Sequence, residues 1–213
     1  MITYKYPMLK HLFARPIYLD CYTVYEHIAE FYPLRTDSRG ITMRLWTDLC
    51  VEIHRDRQGM IRSDYSSADR VSGLQIHDPR QWEGYVDTQR YQHYKILAPW
   101  HIEATEPVLF QMTPARGILE HVSAVTVPPG LIDFVNQRAL HVNTFWSAGV
   151  EGELSYFLPA GTELVTLTAL TDRPVVIRTH CITLDEFTAK NYTPKFMGLY
   201  RERVRIESKC PFA

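Results

Sequence analysis

No stretch of the 213-residue chain approaches the roughly 18 consecutive apolar residues that a membrane-spanning helix requires. The first ten residues, Met1 to Lys10, also lack the apolar centre of a secretory leader. The expectation is a cytosolic chain, or one built into a particle assembled in the cytosol. Charge of one sign is missing too: 23 Lys and Arg stand against 24 Asp and Glu, for a net charge of −1. No global field draws such a chain to nucleic acid or to an anionic membrane. Cysteine is scarce and scattered. Cys21, Cys50, Cys181 and Cys210 form no Cys-x-x-Cys pair of the zinc-binding kind and sit in no secreted framework, so buried free thiols are expected. There is no glycine-rich phosphate loop followed by Lys, no Gly-x-Ser-x-Gly elbow and no dinucleotide fingerprint. Ser66 and Ser67 lie in a polar stretch, Arg62 to Gly73, that reads as a loop without a base. The residues by themselves give no support for catalysis.

What is present is a chain that can fold. Hydrophobic residues make up 46% and charged residues 22%, enough to bury a core. No shift of composition divides it, which predicts one domain over residues 1–213, with 183–213 a candidate C-terminal extension. The dominant period is two. Ile118–Val127, Leu131–Asn136, Ala139–Trp146, Glu153–Leu158, Leu164–Leu170 and Pro174–Ile182 read as strands. So do Ile17–Tyr22, Thr42–His54, Met60–Tyr65 and His101–Thr105. Turns at Pro128-Pro129-Gly130 and Pro159-Ala160-Gly161 separate several of them. Short helices are expected at Tyr25–Tyr32, Pro79–Tyr85 and Thr183–Lys190, the last opening with Thr183 and Glu186 at capping-box spacing. The fold class is therefore mainly β, a sandwich or small barrel of jelly-roll or cupin type with a few short helices.

Three constellations carry chemistry. On a strand, His54 and Asp56 share a face and offer two ligands for iron or another divalent metal, with His141 or His180 as a third. Against this, His54 to Gln58 also reads as a solvated turn running into Gly59. A second cluster gathers His77, Trp82, Tyr85, Tyr91, His93, Trp100 and His101, suited to a ligand surface, a core edge or a subunit interface. It lacks the Lys and Arg density of a nucleic-acid groove. Third, Arg201, Arg203 and Arg205 alternate along the chain, so an extended segment would aim three guanidinium groups to one side. The other reading is a charged edge strand protected from sticking to its neighbours.

Several segments, spread over nearly the whole chain, carry a resemblance. They are Ile17-Tyr18-Leu19-Asp20-Cys21-Tyr22-Thr23, Leu45-Trp46-Thr47-Asp48-Leu49, Pro99-Trp100-His101-Ile102, Pro129-Gly130-Leu131-Ile132-Asp133-Phe134, Pro159-Ala160-Gly161-Thr162-Glu163-Leu164 and Lys209-Cys210-Pro211-Phe212. This set resembles a family of uncharacterised proteins of tailed bacteriophages, T4-like and cyanobacterial phages among them, with relatives in bacteria. The resemblance implies no catalytic residue. It implies a phage origin and, with it, a particle component or an accessory protein made during infection. The leading expectation is a virion-associated structural or decoration protein, without cofactor, that acts through self-association or contact with other virion proteins in the host cytoplasm or the virion. The alternatives are a cupin-like, metal-dependent enzyme of the non-haem iron oxygenase type and a small-ligand binding module.

Overall fold

The alternating burial of the first strand sets the pattern for the molecule. In β1 (Ile17–Thr23), Ile17, Leu19, Cys21 and Thr23 are buried, while Tyr18, Asp20 and Tyr22 face outward. A period of two with one greasy side requires a second layer to cover that side. The computed structural model describes residues 15–37, 40–67, 73–76, 84, 86, 87, 89–121, 125–148 and 153–191. Among these lie fourteen strands and three short helices. No helix among them is long and apolar enough to cross a membrane.

After β1 come α1 (Glu26–Phe31), β2 (Arg35–Asp37), β3 (Gly40–Arg44), β4 (Leu49–Arg55), β5 (Ile61–Ser67) and β6 (Leu74–Ile76). Then follow β7 (Tyr91–Ala104), β8 (Leu109–Pro114), α2 (Arg116–His121), β9 (Val125–Thr126), β10 (Gly130–Asp133) and β11 (Ala139–Ser147). The chain continues through β12 (Leu154–Leu158), β13 (Glu163–Ala169), β14 (Val175–Cys181) and α3 (Leu184–Asn191). One sheet has the order β14-β1-β7-β11-β9, with β6 also paired to β7. A second runs β10-β8-β13-β3-β2 and a third β12-β4-β5. The sheets pack as a sandwich and do not close into a barrel. Between the layers lie Leu19, Trp100, Ile102, Trp146, Phe110, Phe134, Met43 and Leu167, all buried.

The long strand β7 contains Pro99, which has no N–H to donate. One edge of β7 pairs with β6 over Tyr94–Ile96 and with β1 over His101–Ala104, so Pro99 falls in the gap between the two partners. On the other edge the β11 register jumps from Ala139 opposite His101 to His141 opposite Leu97, a bulge that spans the proline.

Several sequence expectations change. Ile118–Val127 is not one strand: Arg116–His121 is helical and only Val125–Thr126 pairs. Gly117 explains the helix, since a Cβ there would stand 2.9 Å from the Glu163 backbone nitrogen, an approach only glycine permits. Thr42–His54 divides into β3 and β4, and the polar stretch from Arg62 opens as β5, with 68–72 outside the described residues. The strand expected to run to Asn136 stops at Asp133, whose carboxylate accepts the backbone N–H of Val135 in a turn. The helix expected at Pro79–Tyr85 lies almost wholly outside the described residues. Of the thiols, Cys21 is buried, Cys50 is half-buried and Cys181 is exposed, all of them free. Burial, with help from the Asp20 charge, pushes the Cys21 thiol up to about 12, which makes it inert.

Candidate functional site

The outward residues of β1 meet chemistry on both sides. Parallel pairing with β14 sets Arg178 opposite Asp20 and His180 opposite Tyr22. Antiparallel pairing with β7 sets Glu103 and His101 opposite the same two residues. Two rows therefore cross the outer face of the sheet, Arg178–Asp20–Glu103 and His180–Tyr22–His101. Directly opposed side chains stand about 5 Å apart, close enough for contact.

The first row is ionic. Arg178 grips Asp20 with two hydrogen bonds, Nε to Oδ1 at 2.8 Å and Nη2 to Oδ2 at 2.6 Å, while its guanidinium carbon lies 4.6 Å from the centroid of the Tyr18 ring. His180 Nε2 reaches the same Oδ1 at 2.8 Å. Glu103 Oε1 takes His101 Nε2 at 3.2 Å and Arg138 Nη1 at 3.1 Å, and Oε2 takes Lys190 Nζ at 3.4 Å. The second row is aromatic. His180 stacks on Tyr22 at 4.8 Å and 22°, His101 is tilted against Tyr22 at 6.1 Å, and Phe187 of α3 meets His101 edge-on. Lys190 places its ammonium 3.9 Å from the Tyr22 ring centroid.

Burial raises both carboxyls, but their partners outweigh it. Hydrogen bonds from Arg178 and His180, together with both charges, hold Asp20 below its ordinary value. The His101 hydrogen bond and the Lys190 and Arg138 charges do the same for Glu103. Ionised carboxylates can only accept, so the paired nitrogen of each imidazole carries a proton. Asp20 is the hydrogen-bond partner of His180 among the described residues, and no hydroxyl or thiol nucleophile is set against that imidazole. The arrangement holds charge and aromatic surface in fixed positions.

The residues singled out from the sequence disperse. His54 ends up on β4 in the three-stranded sheet, opposite Arg62. Asp56 lies past the end of that strand, where Oδ1 accepts the backbone N–H groups of Gln58 and Met60 and Oδ2 accepts Arg62 Nε, so its carboxylate ties the hairpin turn. His141 and His180 belong to the larger sheet, on β11 and β14, with β1 and β7 between them. At the usual strand spacing that separates them by about 14 Å, too far for one ion. Among the described residues no group of three or more His, Cys, Asp or Glu is placed to hold a metal. In the aromatic cluster Trp100 is a core residue and Tyr91 is half-buried. His93 is buried, stacked on Phe145 at 4.9 Å, with Nε2 3.2 Å from Asn143. Among the described members of that cluster, only His101 joins the face described above. His77, Trp82, Tyr85, Arg201, Arg203 and Arg205 lie outside the described residues.

Sequence reasoning passed over Asp20, Tyr22, Glu103, Arg138, Arg178 and Lys190. A signal was present: Tyr18, Asp20 and Tyr22 alternate with an apolar set, and so place a charge between two rings on the outer face.

A second surface lies at the edge of the five-stranded sheet. There Leu109, Leu131 and Leu170 are 47%, 63% and 51% exposed. Leu131 sits opposite Gln111, two residues along from Leu109, and Leu170 donates its backbone N–H to the Leu109 carbonyl at 2.8 Å. The three leucines thus cluster beside β10, which among the described residues has a strand partner on one side only. Neither the family models nor the curated proteins compared with the chain match it.

Proposed function

We propose that this protein is a virion-associated structural or decoration component of a bacteriophage, working in the host cytoplasm and the assembled particle through protein–protein contacts rather than through chemistry. The observation that carries the reading is the leucine cluster at the edge of β10, which no described strand covers. A strand edge with unpaired backbone groups invites pairing with another chain unless charge, proline or a covering element blocks it. In β10 the only charged residue is Asp133, at its end. Fully burying a leucine contributes about 1.5–3 kcal/mol, so covering three half-exposed ones contributes about 2–4 kcal/mol. That gain, together with strand pairing at the edge, suits association with a second copy or with another shell protein. The rigid sandwich behind the edge and the phage-like motifs along the chain support the same reading.

The test is quantitative mass spectrometry of gradient-purified particles, with copy number measured against the major capsid protein. A fixed stoichiometric ratio is expected. Absence of the chain from purified particles overturns the proposal.

A further inference from the structure

The underside of α3 holds an unusual contact. Lys190 places its ammonium 3.9 Å from the Tyr22 ring centroid and 3.4 Å from Glu103 Oε2. An aromatic face joined to a carboxylate is the combination that recognises ammonium groups. Both parts are fixed without help from the lysine. His180 stacks on Tyr22 and is itself anchored by Asp20. His101 and Arg138 both bond Oε1 of Glu103, which orients the carboxylate and leaves Oε2 to Lys190. If Lys190 is withdrawn, an aimed carboxylate oxygen and an aromatic face remain, already in position.

Among the described residues, the element that delivers Lys190 is lightly held. The helix α3 has 8 residues, too few to be stable in isolation, so it depends on its contacts with the sheet. Only Phe187 and Lys190 among residues 184–190 are partly buried, and Leu184 is largely exposed. The capping box, in which Thr183 Oγ1 and backbone N–H bond Glu186 Oε2 at 2.9 Å, secures the turn of the helix without tying it to the sheet. Elements with few buried contacts are those that open first.

From this geometry we infer that Tyr22 and Glu103 form a primary-ammonium site, closed in the resting protein by its own Lys190 and open to a lysine side chain of a partner protein when α3 lifts. The site would engage a lysine-bearing segment during assembly. It stands independently of the leucine edge, which lies on another sheet. A tethered occupant has an effective concentration in the mM range, so it blocks a weak ligand until removed or displaced.

The experiment titrates the full chain with Nα-acetyl-lysine methylamide and follows the Tyr22 ring resonances by NMR, in the wild type, in Lys190→Met and in Lys190→Met/Glu103→Gln. Methionine preserves most of the side-chain stem, and thermal melts verify that each variant is folded. Lys190→Met should bind the probe at least about tenfold more tightly than wild type, and Glu103→Gln should reverse that gain. The Nε-acetylated probe, which carries no charge, should not bind. Equal affinities in wild type and Lys190→Met, or no saturable shift in any variant, would reduce the contact to an internal ion pair and overturn the inference. Hydrogen exchange supplies an independent check. The α3 amides should exchange much faster than those of β7, and equal protection would mean that the site never opens.

Discussion

Replacing Asp20 by Asn should destabilise the protein by about 2 kcal/mol at neutral pH. Charge-assisted hydrogen bonds shielded from water contribute about 1.5–3 kcal/mol, and exposed ion pairs about 0.2–1 kcal/mol. Asp20 lies between these limits: its side chain is 16% exposed, that of Arg178 45% and that of His180 40%. Two bonds from Arg178 and one from His180 are weakened, while both partners can turn to water. For a chain of this length about 2 kcal/mol lowers the melting temperature by about 4–8 °C. The pH dependence follows from the direction of the shift. The folded chain binds the Asp20 proton less readily than the unfolded chain, so this stabilisation is complete above the ordinary carboxyl value of 3.8 and is lost as pH falls through the lower folded-state value. Urea melts of wild type and Asp20→Asn should therefore differ at pH 7 and converge in acid. A double-mutant cycle with Arg178→Met should give a coupling of about 1 kcal/mol. Coupling indistinguishable from zero, or a difference that persists unchanged in acid, would refute the assignment of this ion pair.

Three further outcomes follow from packing. Gly40 has φ +130°, and a Cβ there would lie 2.3 Å from the Leu167 carbonyl oxygen, so Gly40→Ala should cost more than about 3 kcal/mol in chemical denaturation. Gly59, with φ +78° and nothing within 4 Å, should cost only about 1 kcal/mol on the same change, and equal losses at both sites would show that the close approach is unimportant. Thr144 Oγ1 donates to the Tyr94 carbonyl and accepts the Trp146 indole N–H at 2.8 Å, all of it buried. Thr144→Val should cost about 1–3 kcal/mol by leaving that N–H unpaired, and the loss should shrink in a Trp146→Phe background. Leu131→Lys places a charge in the leucine cluster and should abolish self-association in sedimentation velocity while leaving the thermal melt within about 0.5 kcal/mol of wild type. Unchanged association would remove that edge as the contact.

The period-two signal made β1, β11, β12, β13 and β14 legible to within a residue or two: β1 alternates strictly between buried and outward residues, and the others, such as β13 with four successive buried residues, are still marked by short β-branched and aromatic runs. The same signal failed at Ile118–Val127, where Ile118-Leu119 and Glu120-His121 fall in like pairs rather than alternating, and a glycine at 117 lets the helical backbone approach Glu163 closely. It also missed most of β7. The segment from Tyr91 to Pro99 carries outward side chains that are themselves buried, His93 among them, so apolar and polar residues no longer sort by face. The metal expectation rested on strand geometry continuing through Asp56, and the strand ends one residue earlier. On the outer face of β1, local sequence supplied the alternation but not the partners. Asp20 and Arg178 are 158 residues apart, and only the pairing of β1 with β14 brings them together.

That pairing gives the ionic row a role beyond its share of stability. β1 and β14 run parallel, and among the described residues β14 lies at the end of its sheet with one strand neighbour. No short turn fixes its register, as a hairpin would. A slip of one residue would turn Tyr18, Asp20 and Tyr22 toward the opposite pleat of their neighbour and set Asp20 beside Ile177 or Thr179 instead of Arg178. Both side-chain partners of Asp20 come from β14, at Arg178 and His180, two residues apart and therefore on one face. Apolar side chains such as Val176 and Ile177 would tolerate several alignments, whereas a carboxylate held by a two-pronged guanidinium and an imidazole tolerates one. Partial exposure limits how much such contacts stabilise the fold, but it does not weaken their selection against a one-residue slip, which turns Asp20 to the other face and loses all three hydrogen bonds at once. The same selection fixes Tyr22 beneath His180 and beside Glu103, so the ammonium site exists only when the first and last strands of the sandwich have aligned correctly.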